Sequence, residues 1–464
     1  MGLAAGFPIK LFSTIHAAPG DLIGIQRSCY SVFVPELEYC QPPGGLCLDI
    51  FHAASIPPDS SPAVCAIAQF FLLHGHSLTG VKCAICFWRK TKLIPRHEFH
   101  TLSKQHDTKR RAGALSRWSQ FVAMFTCQIS GLSSLRDIES ALHSQRQHHY
   151  HLASQTISRS ALGRANETLD YQFFVSLFGR LYQRCANRSY RQGVAPNFNF
   201  KEKLFSLDAS LIDVSMKLFP NASYNCMKAA FKLHIGLDHD GLIPAFIAVT
   251  AGKVSDQTQA RSFKFPRGSV VVFDKGYASY EWHANLSQKG VSYVTRMRDN
   301  AKFQVDESHA IEVGSNILSD ETITYTSLRA SKKTLLPVRR IVFRDETLNK
   351  DFVFTTNRFD WPAMLVAQIY KQRWQVELFF KWIKQNLKLK SFVGVSSNAV
   401  MTQIMVAMCA YLLLAYLKFT SHFKQSLQQM IRLIRVNTFI RRSIHELFHP
   451  PNDAPLVSPQ GGLF

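Results

Sequence analysis

Acidic residues are in short supply in this 464-residue chain: 32 Asp and Glu face 54 Lys and Arg, a net charge of +22. Such an excess calls for a polyanionic partner, nucleic acid first and an anionic membrane surface second. Cysteine is scarce too. Ten in 464 residues are too few for a disulfide scaffold. The one C-x-x-C, Cys83 and Cys86, lacks the second pair that a four-ligand zinc site needs, although His97 and His100 follow it. The cysteines read instead as buried reduced thiols. No apolar run reaches the roughly 20 residues that span a bilayer; the longest, Ile404–Leu417, has about 14 and reads as a buried helix. The N-terminus has no apolar signal-peptide core after Lys10, and no repeat of solenoid length occurs. These absences suit a cytoplasmic, nucleoid-associated protein without membrane attachment.

Hydrophobic residues make up 46% of the chain, which rules out wholesale disorder and allows a sizeable core. The length suggests about three structural units. Residues 1–86 stand apart: they hold 8 of the 19 prolines and a net charge of −2, so the remainder carries +24. From about 115 to 187 the pattern is helical, with Trp118, Phe121, Val122, Phe125 and Ile129 at three- and four-residue steps. Ser134 and Asp137 have cap and N3 spacing, a third helix opens near Ser158, and a longer one runs from about Tyr171 to Arg184. Basic residues stud this block, either as a DNA-contacting face or as a solvated one. Beyond residue 200 the texture changes to strands: Leu204–Ile212, Lys232–Asp238, Ile243–Thr250, Ser269–Phe273 and Val291–Met297, then shorter pieces within 299–357. Helices return over Pro362–Leu387, Asn398–Lys418 and about Leu427–Arg442.

Two aspartates occupy strand positions suited to chemistry. Asp208 interrupts an apolar run, where a carboxylate is costly unless paired or bound to a cation. Asp274 ends Val270-Val271-Val272-Phe273 and leads into Lys275-Gly276-Tyr277, and strand ends of this kind carry ligand sites in open α/β sheets. The plainer alternatives are a turn or edge residue for Asp208 and a helix N-cap for Asp274. Further on, Tyr370, Arg373, Glu377 and Lys384 fall on one face of an expected single helix, joined by Lys381. The plain reading of that stripe is a solvated salt-bridge face. Against it stand an apolar opposite side (Leu378, Phe379, Trp382, Ile383) and the union of one acid with several phosphate-type ligands.

Tyr370-x2-Arg373-x3-Glu377-x6-Lys384 resembles the Y-R-E-K signature of DDE transposases of the insertion sequence 4 family. Asp274-Lys275-Gly276-Tyr277 resembles that family's second-aspartate motif, and Asp208-Ala209-Ser210 is similar to its first. Trp118-Ser119-Gln120-Phe121, Ser134-Leu135-Arg136-Asp137-Ile138-Glu139, and Asn398-Ala399-Val400 with Gln403-Ile404 also look like family segments. The resemblance spans about residues 93–448.

It implies an α/β protein with an RNase H-like catalytic core over 200–298 and 358–448. Asp208 would lie on the first core strand, Asp274 just after the fourth, and Glu377 on a later helix. A β-rich insertion at 299–357 would separate the last strand from that helix. An all-α DNA-binding domain at 87–190 would precede the core, and 449–464 would form a tail. Residues 1–86 are atypical of the family, expected to be poorly ordered, and read as an upstream reading frame joined to the element. Three converging carboxylates repel one another and need divalent cations. The expected cofactor is therefore two Mg²⁺ ions, or Mn²⁺ in their place, on Asp208, Asp274 and Glu377. Tyr370, Arg373, Lys381 and Lys384 would contact DNA, with Arg373 and Lys384 on terminal phosphates. The partners would be double-stranded terminal inverted repeats and target DNA, engaged by a dimer in a paired-end complex. The rival readings are a non-catalytic remnant that binds inverted repeats and a structure-selective nuclease on the same fold.

Overall fold

β-Branched residues concentrate after residue 200, and there the chain forms strands. A computed structural model describes residues 94–107, 113–146, 154–187, 200–214, 223–225, 228–277, 279–326, 336–421, 423–438 and 447–448, all within one compact unit. The extension at 1–86, with Cys83 and Cys86, and the tail at 449–464 lie outside the described residues.

The strands are β1 (Leu204–Val214), β2 (Ser223–Asn225), β3 (Lys228–Asp238), β4 (Ile243–Ala251), β5 (Val270–Phe273), β6 (Ser292–Arg296), β7 (Phe303–Ser308), β8 (Ile317–Tyr325), β9 (Val338–Asp345) and β10 (Lys350–Thr356). They form one mixed sheet in the order β2-β3-β1-β5-β6-β10-β9-β8-β7, with β4 on β3. β1, β5 and β6 are parallel, and β3 is antiparallel to both β1 and β4. The run Val-Val-Val-Phe of β5 is buried at every position, as a central parallel strand covered on both faces requires. Gly236 on β3, opposite Leu207 of β1, has no room for a side chain: a Cβ there would come within 2.7 Å of Phe246 Cδ2.

The segment 299–357 continues the same sheet. β10 pairs antiparallel with β6, Phe354 opposite Arg296, and β9, β8 and β7 follow outward. A buried ion pair fastens this extension. Arg339 donates through Nε and Nη2 to Asp320, and through Nη1 to the carbonyls of Arg358, Phe359 and Trp361.

The helices are α1 (Arg96–His106), α2 (Arg117–Ser130), α3 (Leu135–His143), α4 (Arg159–Thr168), α5 (Gln172–Asn187), α6 (Asp256–Ala260), α7 (Tyr280–Gln288), α8 (Ala363–Gln372), α9 (Trp374–Asn386), α10 (Ser397–Ser421) and α11 (Leu427–Val436). Serines start several of them. The hydroxyls of Ser116, Ser134 and Ser158 accept from the third amide of α2, α3 and α4, and Ser426 forms a reciprocal capping box with Gln429. Gly131 (φ 73°) ends α2 in the left-handed conformation, and its amide reaches the Cys127 carbonyl. Periodicity does not announce α1, α6, α7, β2 or β7; α6 and β2 are too short to show any.

α10 is apolar all round, and such a helix must be surrounded by protein. It lies against α2, α4 and α5 on one side and β4 on the other, burying the whole run from Ala399 to Ala415. Each large side chain so buried contributes about 1.5–3 kcal/mol. The helical block and the sheet therefore share one core. Two of the family-like segments turn out to be joints in it. Asn398 donates to the Asn166 and Leu169 carbonyls and accepts from the Tyr171 amide, tying α10 to the α4–α5 connection. Gln403 holds Lys388, Ser391 and Val393 of the loop after α9. The described cysteines, Cys127, Cys185 and Cys409, are buried free thiols, and burial pushes the first two up to about 12.

The expected single helix over Pro362–Leu387 is two helices, α8 and α9, that meet at Arg373. The Arg373 amide bonds to Tyr370 O and the Val376 amide to Arg373 O, i→i−3 contacts that tighten the backbone at the junction.

Candidate active site

Strand register brings the two aspartates together. In the parallel pair β1/β5, Leu207 stands opposite Phe273, so the next residues, Asp208 and Asp274, emerge side by side at the C-terminal end of β5. β1 continues past this point, whereas the chain after Phe273 turns into the short 3-10 segment Lys275–Tyr277. α9 packs across β1 and presents Glu377 toward the same place.

Arg373 and Tyr370 connect the three acids. Arg373 Nη2 is 2.6 Å from Glu377 Oε1, and Nη1 is 3.8 Å from Asp208 Oδ2. The Tyr370 hydroxyl donates to Asp274 Oδ1 at 3.1 Å. Its ring lies under the Arg373 guanidinium at 5.7 Å and packs on Phe354. Burial pushes the Tyr370 phenol up to about 12. Asp208 is strongly perturbed. Burial raises its carboxyl to about 6; the Ala209 amide and Arg373 oppose that shift, and Glu377 and Asp274 add to it.

Lys384 donates to Ser210 Oγ at 2.7 Å, two residues beyond Asp208 on β1, and burial lowers its ammonium from the usual lysine range. Lys381 is not brought to this cluster: it is exposed. The side of α9 opposite the stripe is also less apolar in its surroundings than its composition suggests. Phe379 and Ile383 are buried, but Leu378 is 41% exposed and Trp374 55%. α9 meets the core with only part of its apolar surface, and that surface is divided between β1, β3 and α11.

Other neighbours carry no signal in the sequence. Asp256, at the start of α6, pairs with Lys232 at 3.0 Å and lies 3.7 Å from His234, whose Nε2 meets Thr250 Oγ1. Gln257 donates to the Gly276 carbonyl, and Arg261 to Ser279 Oγ. α6 thus braces the turn that follows Asp274. Tyr277 of that turn is buried, with Phe273 beside it. A five-residue helix has no periodicity to read, and the partners of Asp256 are set by sheet pairing far along the chain.

Among the described residues, no three His, Cys, Asp or Glu side chains are gathered closely enough to hold one ion. The positions of the side chains give the reason. The Arg373 guanidinium lies between Asp208 and Glu377 and places a positive charge there. The donor set, three carboxylates of hard oxygen, suits Mg²⁺ or Mn²⁺, and the guanidinium shows that the position accepts positive charge.

Comparison with known proteins places these residues in a family. The family model described as transposase DDE domain matches residues 199–413, which include Asp208, Asp274 and Glu377, and a domain of unknown function matches 84–153. The chain is 30% identical over 294 residues to a protein of Sinorhizobium fredii named as transposase y4zB, covering 62% of this chain and 80% of that protein. It is 27% identical over 287 residues to one from Geobacillus stearothermophilus named as the transposase for insertion sequence element IS5377, covering 61% and 72%. A structural comparison with the piggyBac transposase synaptic complex with hairpin DNA gives a TM-score of 0.38 at 12% identity, over 80% of this chain and 82% of that one. The chain belongs to the DDE transposases of bacterial insertion sequences.

Proposed function

We propose that this transposase binds the terminal inverted repeats of its insertion sequence and catalyses metal-dependent cleavage and strand transfer at an RNase H-like core. Asp208, Asp274 and Glu377 would form the catalytic set. The observation that carries this reading is the β1/β5 register, which sets Asp208 beside Asp274, together with the Arg373 bridge from Asp208 to Glu377. The strand order β4-β3-β1-β5-β6 supports the RNase H-like reading: Asp208 is on the first of these five strands in the chain and Asp274 follows the fourth.

When bound, two Mg²⁺ or Mn²⁺ ions would supply Lewis-acid stabilisation of the attacking and leaving oxygens at phosphorus. The protein's own residues do the rest. Tyr370 fixes the orientation of the Asp274 carboxylate through its hydroxyl. Lys384, held by Ser210 at the edge of the cluster, offers a point charge to a terminal phosphate. Arg373 has a planar fork suited to a bidentate phosphate contact. Water as nucleophile yields strand cleavage, and a DNA 3′-OH yields joining. The helical block and the overall charge of +22 supply the duplex-binding surface. Two ends joined in concert call for a dimer on the paired ends, at the nucleoid.

Purified protein incubated with inverted-repeat DNA, a target plasmid and Mg²⁺ tests the proposal. Joined products support it. Binding without nicking would show an inactive repeat-binding remnant, and nicking without joining a structure-selective nuclease.

A further inference from the structure

We propose that Arg373 is a built-in counter-charge of the catalytic carboxylates, occupying the cation position until a divalent ion displaces it. This rests on the reading of Asp208, Asp274 and Glu377 as the metal-holding set.

Among the described residues four arginines at most 18% exposed in their side chains, Arg117, Arg339, Arg340 and Arg373, lie against carboxylates. They are held differently. Arg340 gives Nη1 to Glu321 and Ser319 Oγ and leaves its Nε unpartnered. Arg117 grips Asp107 with two 2.8 Å bonds from Nε and Nη2 and gives Nη1 to Gln120. Arg339 grips Asp320 the same way and gives Nη1 to three backbone carbonyls. Both forks are fully used, as buried guanidinium groups demand. Arg373 is 17% exposed in its side chain, yet it makes one short contact, to Glu377. Its approach to Asp208 is too long for a hydrogen bond. Its Nε is buried without a partner. Arg117 and Arg339 are locked in place; Arg373 is loosely held, and unlike Arg340, which meets one carboxylate, it lies beside two, Asp208 and Glu377.

Charge balance favours exchange. Three carboxylates and one guanidinium leave two negative charges uncompensated, which invites a divalent ion. Two such ions would overcompensate and expel the guanidinium, and the nearest polyanion is then the DNA end. One residue would thus steady the acids before loading and grip a phosphate after it, coupling metal entry to DNA engagement.

The test titrates Mn²⁺ calorimetrically into the full-length, DNA-free protein. Arg373→Ala removes the competing cation, so Mn²⁺ should bind about tenfold more tightly than to the wild type. In chelator the same variant should melt at a lower temperature, and Mn²⁺ should raise its Tm by more than it raises that of the wild type. Unchanged or weaker Mn²⁺ affinity in Arg373→Ala overturns the proposal. If that variant does not fold, Arg373→Gln, which keeps the length and loses the charge, is read by the same criterion. Asp208→Asn separates the two levels. Mn²⁺ binding that survives Asp208→Asn overturns the metal-holding reading itself, whereas binding lost there but not tightened in Arg373→Ala overturns the counter-charge alone.

Discussion

Leu207 on β1 and Phe273 on β5 face each other across a parallel register, and this apolar pair decides where two acids separated by 66 residues of chain emerge. A one-residue slip would turn Asp208 to the other face of the sheet. The geometry of the proposed catalytic set therefore depends on the hydrophobic packing beneath it, including the close approach of Gly236 to Phe246, Gly236 standing opposite Leu207.

Asp208→Asn, Asp274→Asn and Glu377→Gln should each lower cleavage of inverted-repeat DNA by roughly a thousandfold, the worth of several kcal/mol of metal-held charge stabilisation. Duplex binding, followed by gel mobility shift, should change little. Any one of the three variants that still cuts at the wild-type rate removes its residue from the catalytic set.

The Asp208 carboxyl sits at about 6 in the folded protein, chiefly through burial, whereas an unfolded aspartate titrates near 3.9. Between roughly pH 4 and 6 the folded state holds more protons, so this group's contribution to stability falls as pH rises through that window. Above it, keeping the ionised carboxylate in place costs about 2–3 kcal/mol. In chelator at pH 7.5, Asp208→Asn should be more stable than the wild type by that order, and the advantage should fade toward pH 4. Urea unfolding at both pH values checks it; a gain that does not vary with pH rules out the buried charge as its origin.

Lys384→Ala should weaken binding to pre-cleaved ends and reduce the slope of log affinity against log salt by about one, the loss of one phosphate contact. Lys381→Ala, on the exposed face of α9, provides the comparison. A slope untouched by Lys384→Ala would mean that its ammonium serves Ser210 and not DNA.

Asp107→Ala strands the Arg117 guanidinium, which is 1% exposed and lies over the Phe173 ring. A buried charge without its partner costs about 3–5 kcal/mol, visible as a drop in the unfolding midpoint. A loss below about 1 kcal/mol would show that Arg117 can reach water by local rearrangement.

Much of the site could be read in the sequence because its two aspartates stand against apolar runs. Val270–Phe273 announces a buried strand and Asp274 its exit, and Asp208 is conspicuous as a charge inside an apolar stretch. Serines at 134 and 158 mark helix starts through local chemistry alone, whereas the cap at Ser116 appears only in the structure. The helix face of Tyr370, Arg373, Glu377 and Lys384 was legible as spacing, but spacing does not say where a long side chain points. Arg373 turns back onto the carboxylates, Lys384 onto Ser210, and Lys381 stays outside. The break between α8 and α9 left no mark because every residue there is compatible with a helix. Asp256 and α6 escaped because their partners, Lys232 and Gly276, are supplied by tertiary folding.

α10 runs through both the helical block and the flank of the sheet, so neither can pivot against the other without tearing a shared interior. If the helical block holds the DNA end, as proposed, the protein would act as a fixed-length gauge. Under the proposed function, the phosphodiester reaching Asp208 and Asp274 would lie at a constant number of base pairs from the recognised sequence, its position set by the span of a rigid body instead of by a hinge.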